Sequence, residues 1–160
     1  MNPIVDAFMK KVAGHIESSG RAVVSVEGEL GAAEGYPIAY SVGHAERHLP
    51  ELVLTTITGD LATNLINEVA AALDAQGWAD ADGRAIRLRS VMVRIVGTGS
   101  FGRQAKVANH RAGLMDITAI SFLQILWPDK EDRFPGDPEY DHMRYPQPLL
   151  REQKDVPAVN

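Results

Sequence analysis

The stretch Trp127–Tyr140, WPDKEDRFPGDPEY, restricts this chain more than any other. Pro128, Pro135 and Pro138 each fix φ and lack the N–H that a helix interior or a central strand requires. The stretch is therefore a stiff loop. It follows directly on Ile120-Ser121-Phe122-Leu123-Gln124-Ile125-Leu126, an apolar run of the length and composition of a core strand. Any fold for this chain must let a buried strand end in a rigid, acidic, aromatic loop.

The other elements read in order. Asn2 and Pro3 make a helix start, an N-cap type followed by proline at the first helical position. Ile4, Phe8, Val12 and Ile16 then mark one stripe, with Val5 and Met9 beside it, and the helix ends at Ser18-Ser19-Gly20. His15 falls near that end, where an imidazolium would meet the negative end of the helix dipole, a structural role. Ala22–Val26 reads as a strand. A loop with Gly28, Gly31 and Gly35 leads to a second strand, Ile38–Gly43, and a third runs from Glu51 to Thr56. The short link between the second and third strands predicts antiparallel pairing.

Thr58-Gly59-Asp60 opens a second helix, with Leu61, Leu65, Ile66, Val69 and Leu73 as its buried face and Gly77 after its end. Asp82-Gly83 signals a tight turn. Arg84–Val96 reads as one long strand whose apolar parity changes near Ser90, as a bulge would make it. A glycine loop follows at Gly97–Gly102, then a short helix within Arg103–Arg111 and a strand from about Ile117 to Leu126. Hairpin-length links predict an α+β fold: a mostly antiparallel sheet with helices packed on one face, as a single-domain sandwich. The domain spans residues 1–150, and residues 151–160 form a flexible polar tail.

Composition removes several function classes. The net charge of −5 disfavours a nonspecific phosphate-binding surface, so no nucleic acid partner is expected, although Arg84, Arg87, Arg89, Arg94 and Arg103 cluster locally. The absence of cysteine excludes disulfides, thiolate catalysis, Cys-ligated zinc and iron–sulfur clusters. No signal-peptide pattern opens the chain and no apolar stretch is long enough to span a bilayer. A cytoplasmic protein without a membrane partner is the expectation.

Three patterns occur in order along the chain. Tyr40-Ser41-Val42-Gly43 closes a strand, and Pro50-Glu51-Leu52 opens the next. Trp127-Pro128-Asp129 comes later with Arg133-Phe134-Pro135, Asp137-Pro138 and Gln147-Pro148. Together they resemble the bacterial family known as domain of unknown function 4262, over about residues 36 to 150. Two positions depart from its pattern. Leu49 stands where the family commonly has histidine, with His48 one place earlier, and Gly136 stands where an aromatic is common. The resemblance implies a shared fold and surface, with any role of that histidine passing to His48; it implies no activity.

Candidate chemistry lies in four places. His44 and His48, with Glu46 and Glu51, contain the ligand types of a zinc site, but Pro50 argues against the helix that His-x-x-x-His requires, and Ala45 stands where a zincin has glutamate. Asp129, Glu131, Asp132, Asp137, Glu139 and Asp141 are broken by Lys130 and Arg133 and miss the spacing of a calcium loop. No metal and no cofactor is therefore assigned. Gly97–Gly102 fits Gly-x-Gly-x-x-Gly outside the βαβ context that gives that pattern meaning, so a turn is expected; Arg103, Lys106, His110 and Arg111 beside it would suit a small anion. None of Ser41, Ser90, Ser100 and Ser121 lies in a nucleophile elbow, although Ser41 could reach His44.

The functional expectation is a domain that binds a small molecule or a protein partner. The pocket would lie between the Tyr40–Glu51 segment and the Trp127–Asp137 loop, lined by Tyr40, His44, His48, Glu51, Trp127, Asp129 and Arg133. The alternative is a metal-assisted or acid/base hydrolase using His44, His48, Glu51 and Asp129. A self-associating chain, a homo-oligomer, is a third possibility.

Overall fold

The computed structural model describes residues 2–26, 36–114 and 120–152. The loop expected around Gly28, Gly31 and Gly35, the expected strand start at Ile117 and tail residues 153–160 lie outside the described residues.

Helix α1 spans Pro3–Ser19. The Asn2 side chain accepts the Ile4 N–H at 2.9 Å, and Gly20 caps the other end at φ 84°. Only its C-terminal half reaches the sheet: Val12 is buried and Ile16 half-buried, while Ile4 and Phe8 remain 78% and 41% exposed. Helix α2, Gly59–Gln76, has no side-chain cap at its N-terminus. Packing holds it instead, because burial of each large aliphatic side chain is worth about 1.5–3 kcal/mol against about 1 kcal/mol for a cap. Its buried face is Ala62, Ile66, Val69, Ala70 and Leu73. Leu61, expected on that face, is 60% exposed, and the small Ala62 and Ala70 take the sheet-facing positions.

Among the described residues, six strands form one sheet in the order β1-β2-β3-β6-β5-β4. These are β1 (Ala22–Val26), β2 (Ile38–Val42), β3 (Glu51–Thr55), β4 (Ala85–Arg87), β5 (Met92–Gly97) and β6 (Phe122–Leu126). Every neighbouring pair is antiparallel except β3 and β6, which run parallel with Glu51 opposite Phe122 and Val53 opposite Gln124. Two antiparallel meanders, each preceded by a helix, thus meet along one parallel seam. Short helix α3, Lys106–Ala112, lies between β5 and β6.

The α+β class and the mostly antiparallel sheet are as expected, and two details differ. The run Arg84–Val96 is a hairpin and not one bulged strand: Leu88 N–H donates to the Val91 carbonyl, and the parity change near Ser90 is the turn itself. The helices also occupy both faces. Helix α2 packs with Ala39, Leu52, Leu54 and Ile125 on one side. Val12 of α1 and Ala108 of α3 pack with Val24, Ile38, Tyr40, Val42 and Val53 on the other. That is why all five residues of β2 and of β3 are buried and show no polar alternation; all five of β6 are buried too, with Leu126 covered by Phe134 and Leu149.

Candidate functional site

The loop between β2 and β3 is built on a buried carboxylate. Gly43 turns the chain at φ 123°, and His44–Arg47 forms a single 3-10 turn ending at His48, which takes φ 60°. Glu51, the first residue of β3, is fully buried and faces back into that turn. It accepts the Ser41 hydroxyl at 2.6 Å and the Gly43 and Ala45 N–H groups at 3.0 Å each. Burial drives this carboxyl above its ordinary value, against the pull of those donors. Ser41 Oγ in turn accepts the Leu52 N–H at 2.9 Å, so its proton and a lone pair are both engaged.

His44 is fully buried as well. Its Nδ1 lies 3.1 Å from the Pro50 carbonyl, and its Nε2 accepts Arg21 Nε–H at 2.8 Å. These partners require the neutral ring with the proton on Nδ1. Burial, the Pro50 carbonyl opposing it, and the nearby Arg21 and Arg47 charges leave its pKa pushed down to about 4. Arg21 is braced by Asn67 Oδ1 at 2.9 Å, and the Trp78 indole meets the imidazole edge to face at 5.3 Å. Ser41 and His44, a conceivable catalytic pair, therefore bond elsewhere. His48 is exposed and does not join His44. Among the described residues no three His, Asp or Glu side chains converge as a metal site would require.

Tyr40 is buried on the face covered by α1 and α3, edge to face with Phe122 at 5.6 Å. Its hydroxyl accepts the Val107 N–H at 3.1 Å, and burial pushes its pKa up to about 12. Glu46 bonds Arg111 at 2.8 Å. The Tyr40–Glu51 segment thus holds α3 in place at two points.

The Trp127 loop is organised by a second carboxylate. Asp129, 4% exposed, accepts the N–H groups of Glu131 at 2.8 Å, Arg133 at 3.0 Å and Asp141 at 3.0 Å, and Arg133 Nε at 3.2 Å. Burial pushes its pKa up, but the three backbone donors and the Arg133 charge outweigh it and hold it below the ordinary value. Arg133 also pairs with Glu139 at 3.5 Å. Asp137 takes the Phe134 N–H at 2.8 Å and Arg94 at 3.2 Å, and the Arg94 guanidinium stacks 4.5 Å above the Phe134 ring. Of the acids that resemble a cation site, Asp129 and Asp137 thus turn inward on their own loop, whereas Glu131, Asp132 and Glu139 are exposed. Trp127 is fixed through its backbone by Gln147, whose amide accepts its N–H at 2.8 Å and donates to its carbonyl at 2.7 Å. The indole Nε1 is buried without a partner among the described residues.

The register separates these two clusters. Glu51 pairs with Phe122 at the start of β6, whereas Trp127 follows the end of β6, beyond the level of Val53. At 3.3 Å per residue the two loops are roughly 15 Å apart, at opposite ends of the sheet. Tyr40, His44 and Glu51 come together, Trp127, Asp129 and Arg133 come together, and the two sets do not meet. The expected pocket between them is replaced by two separate loop clamps.

A cavity of about 360 Å³ opens instead between α1 and α3. Met9, Val107 and Leu114 supply its apolar lining, and Arg103, Lys106 and His110 line it with nitrogen. Asn109 completes it, donating to the Gly102 carbonyl at 2.8 Å and accepting the Ile120 N–H at 3.3 Å. The Gly97–Gly102 loop beside it is a turn at the end of β5. Gly97 N–H is taken by Asp82 at 2.9 Å, and Thr98 donates to the Phe122 carbonyl at 3.1 Å. Sequence reasoning had the α3 nitrogens but not Met9, which reaches them because α1 and α3, far apart in sequence, pack on the same face of the sheet. Arg21, Asn67 and Trp78 around His44 were missed for the same reason. Gln147 had a local signal, its place in Gln147-Pro148.

The architecture defines an α+β domain whose central β-strand is clamped by one buried carboxylate near its start and whose longest loop is clamped by another. The chain belongs to the family described as domain of unknown function (DUF4262), whose model matches residues 15–141. The match begins earlier than the motifs in strands and loops, taking in the end of α1 and Arg21. No curated protein and no solved structure matches the chain.

Proposed function

We propose that this domain binds a small molecule in the cavity between α1 and α3, with the Tyr40–Glu51 segment as the frame that holds α3 in place. The observation that carries this reading is the cavity itself: about 360 Å³ with apolar and hydrogen-bonding walls, inside the range of roughly 300–1,000 Å³ common to ligand sites. A hydrolase built on His44, His48, Glu51 and Asp129 has less support. His44 Nε2 is occupied by Arg21, the Ser41 proton goes to Glu51, His48 is exposed, and Asp129 belongs to the opposite end of the sheet.

A fragment screen by thermal shift tests the proposal. Stabilising fragments should lose their effect in Met9→Trp, which fills the cavity from α1, and keep it in Trp127→Phe. Fragments that respond to Trp127 and Asp129 variants and ignore Met9→Trp would put the site at the other loop.

One observation favours a second reading. Ile4, Val5 and Phe8 are 78%, 42% and 41% exposed along α1, an apolar face suited to a second copy of the chain. A monomer by light scattering at high concentration excludes it.

A further inference from the structure

Resting on that proposed site, we infer that the ligand is a compact organic anion, held by its charged group at α3 and by a short apolar body against Met9, Val107 and Leu114. Lys106 and His110 lie one turn apart on α3, so both side chains project from one face of the helix, and Arg103 precedes them from the 3-10 turn Gly99–Gln104. Lys106 and His110, which carry the inference, both border the cavity, and among the described residues its lining includes no carboxylate. This sign is opposite to that of the chain, whose net charge is −5, so it is a local arrangement and not a consequence of composition. Asn109 is held in place by its amide bonds to Gly102 and Ile120 and shapes the cavity floor. The volume lies at the low end for ligand sites, which favours a carboxylate or phosphate monoester on a short aliphatic body over a nucleotide.

The test titrates the full chain with hexanoate, hexyl phosphate and neutral hexanamide, followed by calorimetry and amide chemical shifts. The anions should bind about tenfold tighter than hexanamide. Lys106→Gln and His110→Gln, both at exposed positions, should each weaken the anions by about fivefold or less and leave hexanamide unchanged. The tighter of hexanoate and hexyl phosphate identifies the charged group. If hexanamide binds as tightly as the anions and Met9→Trp abolishes it, the cavity reading stands and the anion inference falls. If no probe responds to Met9→Trp, both fall. Anions whose binding ignores Lys106→Gln and His110→Gln also overturn the inference.

Discussion

Glu51 and Asp129 solve the same problem at opposite ends of one sheet. Each is a buried carboxylate that gathers backbone N–H groups from a loop and closes it: Gly43 and Ala45 for Glu51, and Glu131, Arg133 and Asp141 for Asp129. Their acidities move in opposite directions. Asp129 has a guanidinium in direct contact, Arg133 Nε at 3.2 Å, and its donors outweigh its burial. Glu51 has a neutral imidazole as its neighbour, His44 Nδ1 at 3.6 Å, and burial wins. The balance of burial against donors decides the direction: desolvation exceeds the donors at Glu51, and the three backbone donors, with the Arg133 charge added, exceed it at Asp129.

The largest effect should come from Glu51→Ala. It strands the Ser41 hydroxyl and two N–H groups in a dry site, at a cost of about 3–5 kcal/mol in urea unfolding. Glu51→Gln, which keeps one acceptor, should cost clearly less. Equal losses would mean that packing and not hydrogen bonding holds the turn.

A pH titration separates the two ends next. The folded-state pKa of His44 is depressed from 6.5 to about 4, so its contribution is fully present above pH 6.5 and is lost as pH falls to about 4. The loss amounts to about 3 kcal/mol. Glu51 acts with the opposite sign. Its raised carboxyl adds stability that is full below its unfolded value of 4.5 and disappears as pH rises through the folded value. Glu51→Gln should therefore steepen the acid loss between pH 6.5 and 4. A flat profile for Glu51→Gln in that window would remove the neutral, buried His44 from the account. The stability due to Asp129 is present above its ordinary value of 3.8 and is lost only as pH falls below it, so the Trp127 loop should hold its amide protection throughout the same window.

Asp129→Ala should be milder and local. Hydrogen-exchange protection should fall at Glu131, Arg133 and Asp141 and remain unchanged at Gly43 and Ala45. Loss at both sets would show that the loops are coupled. The smallest effect belongs to Trp127→Phe. Removing an indole N–H that has no acceptor among the described residues offsets part of the lost packing, and stability should change by no more than about 1 kcal/mol. A larger loss would mean that Nε1 has a partner.

Local patterns carried much of the fold. Asn2-Pro3, the spacing of Ile66, Val69 and Leu73, and the short link after β2 place α1, α2 and the β2–β3 hairpin. The β4–β5 turn was not legible because Arg89-Ser90 lacks the glycine, asparagine or proline that marks a hairpin. Helix placement on both faces was legible in retrospect in Ile38-Ala39-Tyr40 and Leu52-Val53-Leu54, where no polar residue alternates. The candidate site was legible as residue types and not as geometry. Tyr40, Glu51, Trp127 and Asp129 are all structurally committed, but which end of β3 each loop occupies depends on the parallel pairing of β3 with β6. That contact is about seventy residues long-range, and no local pattern encodes it.

The separation of the two ends is tested most directly by a double-mutant cycle on Glu51→Gln and Asp129→Asn, with stability measured by urea unfolding. Two independent clamps predict that the double variant loses the sum of the two single losses. A coupling well outside experimental scatter would mean that the two carboxylates share one site, and would contradict the account.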